Sequence, residues 1–176
     1  MAAVTEGVVT PAETASRIKS ALEKGGLAPH PITLGGADAF VGQTAAFRWT
    51  WMATRLHTYV FVRVFDELIA TPHNLDQFLD AARNYALLHK TGLPPGYQTG
   101  TAAITVAVVD DALDEAVDWA SSPHGARSGQ ITFPVVVDSY NRRVTYPGAI
   151  LMGIVYLPYL KQMVRRYVEP AIRQTT

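Results

Sequence analysis

The sequence contains no cysteine and no excess of charge of either sign. Without cysteine, the chain can form no disulfide, no thiolate nucleophile and no cysteine-ligated metal site or cluster. Its 15 basic and 15 acidic side chains cancel, whereas proteins that wrap duplex nucleic acid carry a basic excess. A nucleic-acid partner would need a local basic patch and is not favoured. A neutral chain repels itself weakly, so a protein partner or self-association is favoured instead.

Signals for membrane insertion and export are also missing. The best candidate for a membrane span, Pro147 to Leu160, is interrupted by Gly153 and Pro158. It is shorter than the roughly 20 apolar residues that a spanning helix needs, so we predict a buried helix there. Residues 1–7 lack the basic and apolar regions of a secretory signal. We therefore expect a soluble, cytoplasmic protein.

Chain length and composition predict one folded domain over residues 1–176. The chain is 48% hydrophobic and 17% charged, which is typical of a globular protein with a real core. We expect a short N-terminal tail at 1–9 and a loop at 27–36, which is rich in glycine and proline. The fold class predicted from the element order is α+β, with a central mixed or antiparallel sheet of about five to six strands and four helices packed against it.

Helix caps and hydrophobic periodicity locate the helices. Thr10-Pro11 and Thr71-Pro72 each read as an N-cap followed by proline in the first turn. The second of these helices should bury one stripe, Leu75, Phe78, Leu79, Ala82 and Ala86. A short helix capped by Asp110-Asp111 should bury Leu113, Val117 and Ala120. A final helix is predicted over about 149–173, with Pro158 either kinking it or marking its true start.

The strands are predicted from β-branched and aromatic residues that alternate with period two. A short strand is expected at Phe40-Val41, a buried one at 101–109 and a hairpin from 131–138 and 143–146. Pro134 should place its strand at an edge or a bulge. The longest strand signals cover 46–52 and 54–65.

The strand at 54–65 carries the most informative pattern in the sequence. One side presents an ordinary apolar set with Leu56, Val60 and Val62, while the other mixes cations with aromatic rings. Guanidinium groups bind phosphate or carboxylate in bidentate fashion, and aromatic rings stack on bases or sugars. We predict binding residues on and beside this strand, namely Arg48, Arg55, His57, Tyr59 and Arg63. The alternative is a structural face, covered by a helix whose carboxylates pair with the arginines.

No recognised catalytic or nucleotide-binding motif occurs in the chain. Phosphate loops, dinucleotide-binding glycines, the nucleophile elbow, zinc-protease spacing and calcium loops are all missing. His73 and Asp76 have helical i, i+3 spacing, but one turn supplies only two metal ligands. We therefore assign no catalytic residue, metal ligand or cofactor, and the interpretation leans away from an enzyme.

Carboxylates at predicted strand ends support an alternative reading. Asp66-Glu67, Asp110-Asp111 and Asp138 could gather around a divalent ion. The order of elements resembles the core of the restriction-endonuclease-like superfamily, which implies a divergent metal-dependent phosphodiesterase or nuclease. That superfamily's acid, followed by an acid-x-lysine on the next strand, should fall between 47 and 65. This window contains no acid, so the family's motif is missing.

Two further segments have both a functional and a structural interpretation. The loop at 90–100 combines polar side chains with a stiff Pro94-Pro95 pair, as binding loops and ordinary connections both do. The final helix has a basic side with Lys161, Arg165 and Arg166, which suits a membrane surface, an acidic partner or plain solvent. The sequence thus favours a non-enzymatic binding or assembly module for an anionic ligand or a protein partner.

Overall fold

The computed structural model describes residues 9–90, 99–124 and 130–173. Within them the chain forms four α-helices and one mixed sheet of six strands, as the predicted α+β class requires. The helices are α1 (Pro11–Lys24), α2 (Pro72–His89), α3 (Asp114–Ser121) and α4 (Leu157–Tyr167). The strands are β1 (His30–Leu34), β2 (Ala37–Arg48), β3 (Thr54–Val64), β4 (Thr99–Val109), β5 (Gln130–Asp138) and β6 (Arg143–Thr145).

The strands lie in the sheet in chain order, from β1 at one edge to β6 at the other. The central strands β3, β4 and β5 are parallel, and the outer pairs β1–β2, β2–β3 and β5–β6 are antiparallel. Because parallel strands need long connections, α2 and α3 link β3 to β4 and β4 to β5. The amino ends of the three parallel strands therefore lie together at one end of the strands, which we call the amino edge of the sheet. Their carboxyl ends lie together at the opposite end, the carboxyl edge.

Helices cover both faces of the sheet. One core joins α1 and α4 to Leu56, Val60 and Val62 of β3. The other joins α2 and α3 to Tyr59 and Phe61 of the same strand. The central strand β4 is buried along its length, as its continuous apolar run predicts.

Several predicted elements are confirmed. Both helices with the Thr-Pro signature begin where expected, because the side chains of Thr10 and Thr71 accept hydrogen bonds from backbone amides of the first turn. The buried stripe of α2 consists of the five predicted residues. Pro134 lies where β5 has no partner on the β6 side, since β6 pairs only with Val136–Asp138. Pro158 marks the true start of the last helix.

Other predictions were wrong. The expected loop at 27–36 contains β1, which pairs with β2 despite its proline because it is an edge strand. β2 is continuous from Ala37 to Arg48 and is followed by a 3-10 turn, Trp49–Trp51, where a strand was expected.

Helix boundaries were wrong at α3 and α4. Leu113 is the N-cap of α3, so Asp110-Asp111 does not cap it, and the buried residues are Ala116 and Ala120. Of the helix predicted over about 149–173 only Leu157–Tyr167 is α-helical, and of the buried helix predicted for 147–160 only the last residues, from Leu157, are helical. Left-handed Gly153 and a 3-10 turn, Ile154–Tyr156, precede α4.

No helix in the described ranges is long and apolar enough to cross a membrane. The tail predicted at 1–9 lies outside the described residues apart from Val9, and so does most of the loop predicted at 90–100.

Candidate functional site

The alternation predicted for β3 is present. Leu56, Val60 and Val62 point to the α1/α4 side, whereas Tyr59 and Phe61 point to the α2/α3 side. Since successive side chains of a strand point to opposite faces, Arg55, His57 and Arg63 share the side of Tyr59. The cations and rings therefore lie on one face, and α2 decides which of them remain accessible.

Helix α2 covers the middle and the carboxyl end of this face. The Tyr85 ring packs edge-on against Tyr59 and Phe61, with ring centroids 6.4 and 5.6 Å away. The Arg63 guanidinium lies 4.2 Å from the centroid of Phe65 and 6.0 Å from that of Phe78. Arg63 thus contributes to packing between β3 and α2.

The amino end of β3 remains open and forms a pocket of about 300 Å³ with the last turn of α2. We call this cavity the basic pocket. Arg55, His57 and Tyr59 contribute from β3, and His89 closes the cavity from the end of α2. The lining consists of Gln43, Thr44, Ala45, Arg55, His57, Tyr59 and His89.

The basic pocket has positive electrostatic character and no carboxylate in its lining. Burial, Lys90 and Arg55 all lower the pKa of His57 below its ordinary value, so its imidazole is neutral near pH 7. Among the side chains that the structure describes, which do not include that of Glu67, no carboxylate lies within 4 Å of the Arg55 or Arg63 guanidinium. Helix α2 therefore covers the rings, as the structural alternative expects, but its acids do not pair with these arginines.

Polar groups around the cavity are held in fixed orientations. The His89 ring stacks on Tyr85 at 3.8 Å, and its Nδ1 lies 2.9 Å from the Tyr85 carbonyl oxygen. Because a carbonyl can only accept, Nδ1 donates, which leaves Nε2 for another contact. Burial raises the pKa of Tyr59, which keeps its phenol protonated. Thr101, the Cα partner of His57, has a buried hydroxyl without a hydrogen-bond partner in the described structure.

The structure brings three of the five predicted binding residues together. Arg55, His57 and Tyr59 line the basic pocket, whereas Arg63 lies under α2. Arg48 pairs with Thr54 and so lies on the opposite face, where its guanidinium is 5.1 Å from the Trp51 ring and 5.4 Å from that of Tyr159.

Sequence reasoning missed Gln43, Thr44 and His89. Gln43 is the Cα partner of Tyr59, so recognising β2 as one continuous strand would have placed it on the same face. His89 follows Ala82 and Ala86 along the buried stripe of α2, a spacing that carries the helix face into the pocket. Both signals depend on knowing which strand and which helix lie beside β3.

Two other grooves, of about 430 and 350 Å³, lie near the carboxyl-terminal turn. Each groove contains an arginine that is already paired with an acid. Arg173 bonds to Glu169 at 3.2 Å, and Arg17 bonds to Glu13 at 2.6 Å and to the Ala171 carbonyl oxygen. The basic pocket is smaller, but its cations have not been neutralised in this way.

The acids at the carboxyl edge of the sheet are used in turns. Asp138, 1% exposed, accepts hydrogen bonds from the backbone amides of Ala112 and Asn141 and from the Asn141 side chain. That side chain also donates to Asp111 at 2.8 Å, and Asp66 accepts from the Leu68 amide. These contacts stabilise the turns that follow the strands.

The described residues contain no group of three or more histidines and acids that could hold a metal ion. Of the helical pair considered for a metal, Asp76 accepts a hydrogen bond from the Trp119 indole at 2.8 Å, and His73 contacts Gln77. The nuclease-like alternative therefore gains no support from this edge of the sheet. No protein-family model, curated sequence or solved structure matches the chain.

Proposed function

We propose that the protein is a non-enzymatic binding module whose basic pocket holds the oxyanion of a small molecule, either a phosphate or a carboxylate. The observation that carries this proposal is the combination of the Arg55 guanidinium with His57 and His89 around one cavity, with no carboxylate among the described residues of its lining. The permanent charge of Arg55 has no acid beside it there, and a bound anion would supply the opposite charge and favour the protonated form of His57.

Each side chain has a role in this proposal that matches its chemistry. The exposed Arg55 guanidinium offers a planar fork for two oxygens of the anion. His57 adds a donor that strengthens when its ring is protonated, whereas His89 Nε2 donates to an anion only in the imidazolium form, because Nδ1 already carries the hydrogen of the neutral ring. Gln43 adds a neutral donor from the neighbouring strand. A volume of about 300 Å³ suits a small ligand rather than a polymer.

The test is calorimetric titration of the full chain with sulfate, inorganic phosphate and citrate at low ionic strength, where screening is weakest. We expect saturable binding of at least one of these anions. Arg55→Ala should weaken that binding at least about tenfold, since it removes a charge-assisted bidentate contact. Arg165→Ala is the matched control because Arg165 is exposed on α4, on the other side of the sheet.

Two results would overturn the proposal. One is a wild-type chain that binds none of the three anions. The other is an equal loss of affinity in the Arg55 and Arg165 variants, which would indicate nonspecific attraction to charge.

A further inference from the structure

A second surface of the molecule exposes large apolar side chains on two adjacent turns. Trp49 and Met52, between β2 and β3, are 82% and 87% exposed, and Leu151 and Ile154, before α4, are 68% and 70% exposed. Monomeric proteins rarely leave many such side chains together in water. We call this group the apolar surface, comprising Phe47, Trp49, Met52, Leu151, Met152, Ile154 and Val155.

The two turns form one continuous structure. The 3-10 turns Trp49–Trp51 and Ile154–Tyr156 contact each other. Trp51, only 2% exposed, anchors them by packing against Tyr156 and Tyr159 with ring centroids 5.1 and 5.0 Å apart. Trp51 therefore fixes the turn from below while its neighbours Trp49 and Met52 project into solvent.

The backbone of the first turn adds to its projection. Met52 and Ala53 are both left-handed, with φ of 55° and 57°. Positive φ at two successive residues is the conformation of a tight hairpin turn, which connects β2 to β3 here.

The two chain segments that form the apolar surface contain cations and no acids. Residues 39–65 and 139–168 contain no aspartate or glutamate, although they include Arg48 and Lys161. Arg48 lies beside Trp51, and Lys161 donates to the Gly148 carbonyl oxygen next to the second turn. Within these two segments, the apolar side chains therefore have cations as neighbours and no acids.

From this arrangement we infer that the apolar surface docks on an anionic lipid bilayer. Tryptophan favours the membrane interface, and cations beside an inserted apolar group attract acidic headgroups. Trp49 and Met52 expose more than four-fifths of their area, so they do not line a groove. A bilayer can take up such side chains without a surface of complementary shape. A second copy packed face to face would bring together two surfaces whose segments, 39–65 and 139–168, contain cations and no acids.

The experiment is co-sedimentation of the full chain with vesicles of phosphatidylcholine alone or mixed with one third phosphatidylserine. We expect binding to the anionic vesicles, weaker binding to the neutral ones, and a decrease with salt. The variant Trp49→Ser/Met52→Ser should lose at least about tenfold in partitioning. The control Leu68→Ser/Leu88→Ser removes two side chains that are 78% and 82% exposed elsewhere, and should bind as the wild type does.

Three outcomes would overturn the inference. These are failure of the wild type to sediment with either vesicle, equal loss of binding in the two double variants, and dimerisation of the wild type through Trp49 and Met52. Dimerisation would mean that the apolar surface binds a second copy of the chain. Analytical ultracentrifugation of the wild type and both variants measures the oligomeric state. Thermal melting of each variant verifies folding. Because the Arg55 variant retains both turns, this test and the anion titration can fail separately.

Discussion

The two ends of the parallel strands have opposite character. At the carboxyl edge, Asp66, Asp111 and Asp138 accept hydrogen bonds from backbone amides or from Asn141, so their charges hold turns together. At the amino edge, Arg55 and His57 surround an open cavity. Ligands of parallel sheets usually bind at the carboxyl edge. The contrast shows that charged side chains mark a candidate binding site only where the folded protein does not already use them in hydrogen bonds or ion pairs.

The largest expected effect is the loss of stability when Asp138, at the carboxyl edge, is replaced. Asp138→Ala should lower the free energy of unfolding by about 3 kcal/mol, because it removes the buried, charged acceptor of hydrogen bonds from two backbone amides and from the Asn141 side chain. Urea denaturation measures the change. Asp110→Ala is the matched control, since Asp110 is exposed one strand away, and should cost less than about 0.5 kcal/mol. Similar costs for both variants would mean that Asp138 does not stabilise the turn.

An intermediate effect is expected from the pH dependence of stability at His57. Burial, Lys90 and Arg55 lower its pKa, so the unfolded chain binds the proton more tightly than the folded chain does. The free energy of unfolding should therefore fall as the pH falls below about 6.5 and level off below the lowered pKa. His57→Gln should remove this component, as measured by urea denaturation across that range.

Adding sulfate to the same denaturation measurement tests whether an anion binds beside His57. His57 is faced by Arg55 and Tyr59 on β3 and by His89 and Lys90 from α2. A bound dianion among these groups should raise the pKa of His57, so sulfate should stabilise the wild type more at acidic pH than at neutral pH. An identical pH dependence in the wild type and in His57→Gln would show that His57 does not titrate in this range.

The smallest effect is expected for the stability of Arg55→Ala. Because Arg55 is exposed and lies near other cations, removing it should change the free energy of unfolding by less than about 0.5 kcal/mol. Asp111→Ala at the opposite edge removes the hydrogen bond to Asn141 and should cost about 1 kcal/mol. A larger loss for Arg55→Ala than for Asp111→Ala would reverse the comparison, and would make Arg55 a structural residue.

Much of the fold could be predicted because its signals are local. A threonine before a proline specifies a helix start through bonds within one turn, and both such starts are present. β1 was missed because Pro31 and the nearby glycines are typical of loops. Hydrogen bonding with β2 outweighs that preference. Because this pairing joins two separate segments, the local sequence of β1 does not reveal it. The same limit explains residues 149–156, whose apolar character suits a helix although they form turns and project into solvent.

The candidate site was predicted in part for the same reason. Alternation along β3 placed Arg55, His57 and Tyr59 on one face, since the direction of each side chain depends only on its own backbone. Arg48 and Arg63 share the chemistry of Arg55 but line no part of the pocket. The first lies on the other face, and the second lies beneath α2. Neither fact is contained in the composition of the strand.

By itself, the sequence determined the starts of α1 and α2, the burial of β4 and the two-sided character of β3, all of which arise from propensities and periodicities within a few residues. Tertiary structure alone decided that α2 covers Arg63 and leaves Arg55 open, and that the turns at Trp49 and Ile154 meet. The physical reason is that coverage depends on how distant segments pack over one another. Such packing is settled by the whole core and not by any one stretch of chain.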